Sequence, residues 1–171
     1  SSIFFTLFLI FCSCCSSVVL AAHQEKSNYE LSLSFVPQEG QLIGTAKITI
    51  DPGRTLTLSL QDLTITGTLL QDDTGREHRL RPIRNMLILP SASTSRSLYI
   101  SYTRTVKDDF DNLISPEGIS LVSNWYPRPE QPMLYHVTAV LPNHFSAVME
   151  ADAFPLKQQG DTVSATFSRP P

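Results

Sequence analysis

The chain has 171 residues, a formal net charge of −3, 17% charged residues and 42% hydrophobic ones. That length suits one domain with a real core. Its 13 basic residues are scattered among 16 acidic ones without a basic stripe, which excludes the electrostatic footprint of a nucleic-acid-binding protein.

Residues 1–22 read SSIFFTLFLIFCSCCSSVVLAA. The apolar run from Ile3 to Phe11 has the length of an export signal, and Leu20, Ala21 and Ala22 offer small residues for cleavage. The absence of an initial Met and of basic residues is read as a leader truncated at its start. The competing reading is a membrane anchor, but Cys and Ser break the run after Phe11, well short of the ~20 apolar residues a span needs. The expectation is therefore an exported protein, periplasmic or in the cell envelope or outside the cell, with no stable membrane span once the leader is cleaved. Cys12, Cys14 and Cys15 all fall in that leader, so the mature domain, residues 23–171, carries neither a disulfide framework nor a thiolate metal site. A lipid-modified Cys is the alternative, although the residues before each Cys lack the expected small-residue pattern.

From Asn28 onward the pattern is that of strands. Tyr29, Leu31, Leu33 and Phe35 alternate with polar residues, which puts one face on a core and the other in water. Pro37-Gln38-Glu39-Gly40 is a turn, and Leu42, Gly44, Ala46, Ile48 and Ile50 then line one face of a second strand, closing a hairpin. Gly44 marks a bulge or a close backbone approach. After the turn Asp51-Pro52-Gly53, Leu56, Leu58 and Leu60 alternate, and Leu63, Ile65 and Leu69 resume the pattern. Asp72-Asp73-Thr74-Gly75 is a polar turn. Residues 77–80 and 86–89 read as a short hairpin, and Leu98, Ile100 and Tyr102 as the next strand. A polar interruption follows, from Val106 to Glu117.

The most informative stretch runs from Gly118 to Pro142. A short apolar run leads into an elbow that holds the single Trp, Trp125, with Tyr126, Pro127, Pro129 and Pro132. Each Pro fixes φ and removes a backbone donor, so this elbow is neither helix nor mid-sheet. The readings for Trp125 and Tyr126 are a buried corner anchor or an exposed ligand platform. Met133, Tyr135, Val137, Ala139 and Leu141 then form an apolar set at period two, ended by Pro142. Phe145, Ala147 and Met149 predict a further strand, residues 158–161 a turn, and Val163, Ala165 and Phe167 a last strand. No segment beyond the leader has a helical period. The predicted fold is all-β, an antiparallel sandwich or saddle of about ten strands.

The apolar strand, Trp125-Tyr126-Pro127, the acidic Glu130 two before Pro132, and the alternating strand ending Leu141-Pro142 together resemble the amino-terminal β domain of the M1 zinc aminopeptidases. The strands from Tyr29 to Phe35 and from Leu42 to Ile50 extend that resemblance over nearly the whole mature chain. It implies a truncated fragment of a longer peptidase. The following catalytic domain of the same chain would be its partner, would bind Zn²⁺ and would hydrolyse the peptide substrate with metal-activated water. In the family a Gln or Glu just ahead of the elbow contacts the substrate's free amine. Counting back from Pro132 puts that position at Gly118 with Glu117 beside it, and the usual Thr-Gln-x-Glu pattern is missing. Glu117 is the candidate substrate-binding residue, with a surface-loop carboxylate as the alternative.

Little else in the chain points to chemistry. His-Glu-x-x-His needs two His four apart, and His23, His78, His136 and His144 supply no such pair, so no catalytic residue, metal ligand or cofactor is assigned to this fragment. Asp108, Asp109, Asp111 and Asn112 could gather around Ca²⁺ but lack a calcium loop's spacing and Gly, and read as a solvated loop. Residues 147–151, including Glu150, echo the family's Gly-x-Met-Glu-Asn motif only by chance. His136 sits on the polar side of its strand, and no Ser lies in a Gly-x-Ser-x-Gly elbow. The expected function is a non-catalytic domain that packs on, and walls the cleft of, an M1-like aminopeptidase. The alternative is a free-standing β-sandwich binding or adhesion module of the cell envelope.

Overall fold

The computed structural model describes residues 28–107, 110–149 and 152–169. The expected leader with its three Cys, and His23, Asp108, Asp109 and Glu150, lie outside the described residues. Alternation of Tyr29, Leu31 and Leu33 with polar residues makes β1 (Asn28–Val36), and Leu42, Ala46, Ile48 and Ile50 give β2 (Gln41–Ile50) the same one-sided burial. Between them Pro37–Glu39 is a 3-10 turn closed by Gly40, whose φ of 62° is one a side chain would resist. The chain continues through β3 (Leu56–Ser59), β4 (Thr64–Gln71), β5 (Glu77–Arg79), β6 (Met86–Leu89) and β7 (Arg96–Thr105). Then come β8 (Leu113–Ser115), β9 (Gly118–Ser120), β10 (Arg128–Pro129), β11 (Leu134–Pro142), β12 (Asp152–Ala153), β13 (Lys157–Gln159) and β14 (Thr162–Arg169).

Nine strands form one sheet in the order β12-β14-β11-β1-β2-β7-β4-β5, with β13 also pairing β14. A second sheet has the order β10-β3-β6, and β8 pairs with β9 as a separate hairpin. The inner face of the large sheet and Leu56, Leu58, Leu87 and Leu89 of the small one belong to a single buried cluster, so the layers share one core. The fold is all-β, roughly sandwich-like and not a closed barrel. The outer face of the large sheet carries a row of hydroxyls: register aligns Thr166, Thr138, Ser32, Thr45 and Ser101 across five strands.

Several expectations are corrected. The large sheet is not wholly antiparallel, because β1 runs parallel to β11, from Asn28 beside Leu134 to Ser34 beside Val140. A period of two reveals which face is buried but not strand direction, and a parallel neighbour needs a long connection, here supplied by everything between β1 and β11. The strand count roughly matches the expected ten or so: fourteen strands are described, six of them only two or three residues long and too short to show a period. Residues 77–80 and 86–89 do not form a hairpin: β5 extends the large sheet beside β4, and β6 pairs with β3 in the small sheet. The reversal instead falls at Ile83–Met86, whose central Arg84 and Asn85 have φ of 48° and 60°.

Gly44 is a site of close approach, and the bulge falls in β4 between Ile65 and Gly67. That bulge reverses the phase of the strand. Ile65 faces Tyr102 on the inner side, whereas beyond it Leu70, not Leu69, turns inward opposite Leu98. No strand forms at residues 145–149; their alternating half-burial packs them against the core without a ladder partner.

Candidate functional site

The elbow is fixed from both ends. Upstream, buried Arg104 on β7 donates from its guanidinium to the Ser123 carbonyl at 2.5 Å. Buried Asn112 accepts at Oδ1 from the backbone N–H groups of Val122 at 2.9 Å and Ser123 at 3.2 Å. Asp111 accepts from the Ser123 hydroxyl at 3.1 Å, and Asn124, at φ 50°, donates from its side chain to Asp62 at 3.1 Å. The residues considered for calcium thus include an amide that staples a loop.

Downstream, Pro127 and Pro129 are buried and Pro132 is exposed, while Pro129 pairs with Leu58 of β3. The hydroxyl of Tyr29 donates to the Pro127 carbonyl at 2.6 Å. Tyr126 lies 6.2 Å from Tyr29 and 5.9 Å from Tyr135, and Trp125 lies 4.5 Å from Tyr126, ring centre to ring centre. Burial raises the phenol pKa of Tyr29, Tyr102 and Tyr135 above the ordinary value, with the other rings of the cluster adding to it.

This arrangement leaves a groove of about 570 Å³ beside the elbow. Its floor is the β1/β11/β14 part of the large sheet, where Leu33 lies beside Ala139 and Val137 beside Phe167. One wall is Ile119, Leu121 and half-buried Trp125. The other is His144, Phe145, Ala147 and Met149, with the His144 ring 4.6 Å from that of Phe145. Trp125 is therefore a corner anchor towards Tyr126 and a groove wall on its other side.

Glu117 is exposed in the β8–β9 turn and lines the mouth of the groove. Its backbone N–H donates to the Ser115 hydroxyl at 3.3 Å. His136 lies exposed on the outer face and is not at the groove, and His78 is exposed on β5. Sequence reasoning missed His144 and Met149 as groove residues; the alternation that suggested a strand there was the available signal. Among the described residues no three His, Cys, Asp or Glu gather to hold a metal, and no helix is long and apolar enough to cross a membrane.

No family profile matches this chain, and no curated protein matches it. Solved structures do. It is similar to the M1 zinc metallopeptidase of Deinococcus radiodurans, with a TM-score of 0.62 and 17% identity over 85% of this chain and 39% of that one. This is a fold found in M1 zinc metallopeptidases. A mutant of the Deinococcus enzyme bound to a Tyr-Ser-Ala substrate gives a TM-score of 0.58 at 17% identity, again over 85% and 39% of the two chains. A two-domain M1 zinc metallopeptidase mutant bound to L-arginine gives 0.60 at 16% identity, over 85% of this chain and 40% of that one. The chain thus spans about two fifths of the length of these M1 structures.

Proposed function

We propose that this chain is the non-catalytic β domain of an exported M1-type zinc aminopeptidase, and that it walls the cleft of a catalytic domain outside this sequence. The observation that carries the reading is the fold likeness, which covers 85% of this chain but only 39% of the Deinococcus enzyme. The described residues do not fit a zinc ion, so no step through the metal is derived from them. On this reading Zn²⁺ belongs to the neighbouring domain, where it would activate water for peptide hydrolysis. What this chain contributes is a shaped apolar wall. Trp125 is held by Tyr126 and by the Arg104 and Asn112 staples upstream of it, and Glu117 offers a carboxylate at the rim to the free amine of a peptide.

The test is to sequence the transcript past the codon for Pro171. The expected result is an open frame that continues into a helical region with His-Glu-x-x-His and a second Glu on a following helix. A stop codon directly after Pro171 would overturn the proposal. The groove would then belong to a free-standing β-sandwich binding module.

A further inference from the structure

A second hollow, of about 880 Å³, lies on the outer face of the large sheet, where β7, β4 and β5 form its far end. The bulge in β4 makes it. By turning Gly67 outward, opposite exposed Ser101, it sets a position without a side chain beside one with a small hydroxyl. A Cβ at Gly67 would meet nothing closer than the Ser101 Cβ at 3.9 Å, so the hollow is open there. On the next row of the ladder Tyr99, Leu69 and Arg79 stand side by side, with Tyr99 half-buried. Arg81 lines the same hollow two residues beyond Arg79. The Thr68 hydroxyl donates to the Leu80 carbonyl, which ties the segment bearing both arginines to β4. Arg79 and Arg81 are exposed, and neither guanidinium has an ion-pair or hydrogen-bond partner among the described residues. The hollow holds one carboxylate, Glu77, on the row beyond Arg79 and away from Gly67. Lys47, beside Tyr99, is neutralised by Glu30 at 3.0 Å. Two arginines against one glutamate leave the lining one net positive charge, on a chain whose total is −3.

We infer that this hollow binds an acidic saccharide, a sugar ring that bears a carboxylate. The Tyr99 ring offers a flat apolar surface to the C–H face of a pyranose. The hydroxyls of Ser101 and of Thr66, the bulged residue, both donate and accept, as sugar hydroxyls do. Arg81 and Arg79 present planar forks that match a carboxylate. A single net charge suits isolated carboxylates and is too little for a nucleic acid, whose binding is driven by many phosphate contacts. An extended acidic peptide would seek a free strand edge with unpaired main-chain groups, whereas β4, the floor of this hollow, is paired on both sides. The hollow is not the groove. The groove lies on the inner face of β1, β11 and β14, and the hollow on the outer face of β7, β4 and β5, so both can be occupied together. The inference stands whether or not the chain is part of a peptidase.

The test is isothermal titration calorimetry of the full chain with hexamers of galacturonate and of mannuronate. Maltohexaose serves as the neutral sugar and hexaglutamate as the acidic peptide. At least one uronate should bind saturably, about tenfold or more tighter than maltohexaose, and more weakly as salt is raised. Gly67→Leu, which fills the hollow from an open position, should abolish that binding with the melting temperature unchanged. Arg81 is exposed, so Arg81→Ala reads the same site without disturbing the core, and it should lose about tenfold or more. No binding of either uronate, equal binding of maltohexaose, or wild-type affinity in Gly67→Leu or Arg81→Ala would overturn the proposal. So would hexaglutamate that binds as tightly as the uronates and competes with them, since that would identify an acidic peptide as the partner.

Discussion

The ring of Tyr102 lies over Gly44, directly across the β2–β7 ladder, so closely that a Cβ at Gly44 would sit 2.2 Å from Cζ and 2.5 Å from the hydroxyl oxygen. Both residues are buried, so the ring has no open side to move into. Gly44→Ala should therefore destabilise the domain by about 1–3 kcal/mol through overpacking, read as a lower urea midpoint at unchanged slope. Adding Tyr102→Leu should recover part of that loss, because the two changes share one contact. Additive effects would show that the ring is not what excludes a side chain at Gly44.

Tyr29 and Tyr102 are both fully buried tyrosines, but only the Tyr29 hydroxyl has a partner among the described residues, the Pro127 carbonyl at 2.6 Å. Tyr29→Phe should cost about 1–3 kcal/mol, since it strands a buried acceptor, and should shift Trp125 emission by loosening the elbow. Tyr102→Phe should be neutral or stabilising by up to about 1 kcal/mol, because it removes a buried hydroxyl that gains nothing. Chemical denaturation of both variants followed by Trp fluorescence checks the contrast. Equal losses would remove the assigned role of the Tyr29–Pro127 bond.

The same burial predicts how stability depends on alkaline pH. Tyr29, Tyr102 and Tyr135 have folded-state pKa values raised above the ordinary 10.0, first by desolvation. Above about pH 10 the unfolded chain loses these protons while the folded chain keeps them, so the unfolded state is favoured. Their contribution is fully present below pH 10 and is lost as pH rises from there towards the folded values. Unfolding free energy should be level in this respect to about pH 9 and then fall steeply. Phenolate absorbance of these three rings should appear together with unfolding rather than before it. Their ionisation near pH 10 in a still folded chain would contradict the burial.

The faces of the main strands were legible because burial at period two leaves a direct mark on composition. Tyr29-Leu31-Leu33, Leu42-Ala46-Ile48 and Val137-Ala139-Leu141 each read correctly as inward sets. Direction was not legible, so the parallel β1–β11 pair was missed. Nor was the phase switch in β4, where one extra residue at the bulge moves Leu69 outward and Leu70 inward. Phe145, Ala147 and Met149 alternate as a strand does, but they pack on the core without a ladder, and periodicity cannot tell the two apart. Of the groove, the chain itself marked Trp125 and Glu117. The rest of the groove is assembled from segments more than 100 residues apart, from Leu33 to Phe167, which no local pattern encodes.

Asn112 and Arg104 decide how firmly the start of the elbow is held. Asn112→Ala leaves the N–H groups of Val122 and Ser123 without their side-chain acceptor, and should cost about 1–3 kcal/mol with a shift in Trp125 emission. Asn112→Asp keeps an oxygen for both donors near the Arg104 guanidinium, which also binds Ser123, and should cost less than the alanine variant. Thermal melts with the emission maximum as a second readout check this order. A larger loss for the aspartate would mean that the amide nitrogen of Asn112, not its oxygen, holds the loop.

Glu117 provides the sharpest functional prediction, because its exposure separates function from folding. It lies on a turn at the groove mouth, where its carboxylate anchors no described structural contact, so Glu117→Ala should leave the melting temperature unchanged. In the complete peptidase of the proposed function, the loss of a charged partner for the substrate amine should lower kcat/KM by about ten- to a hundredfold, with the loss in KM if the contact is uniform between ground and transition states. The effect should be confined to peptides with a free amino terminus. An acetylated peptide, hydrolysed poorly by the wild type, should be hydrolysed no worse by the variant. Equal loss on both substrates would reduce Glu117 to a structural turn residue, and no loss on either would return it to the solvent.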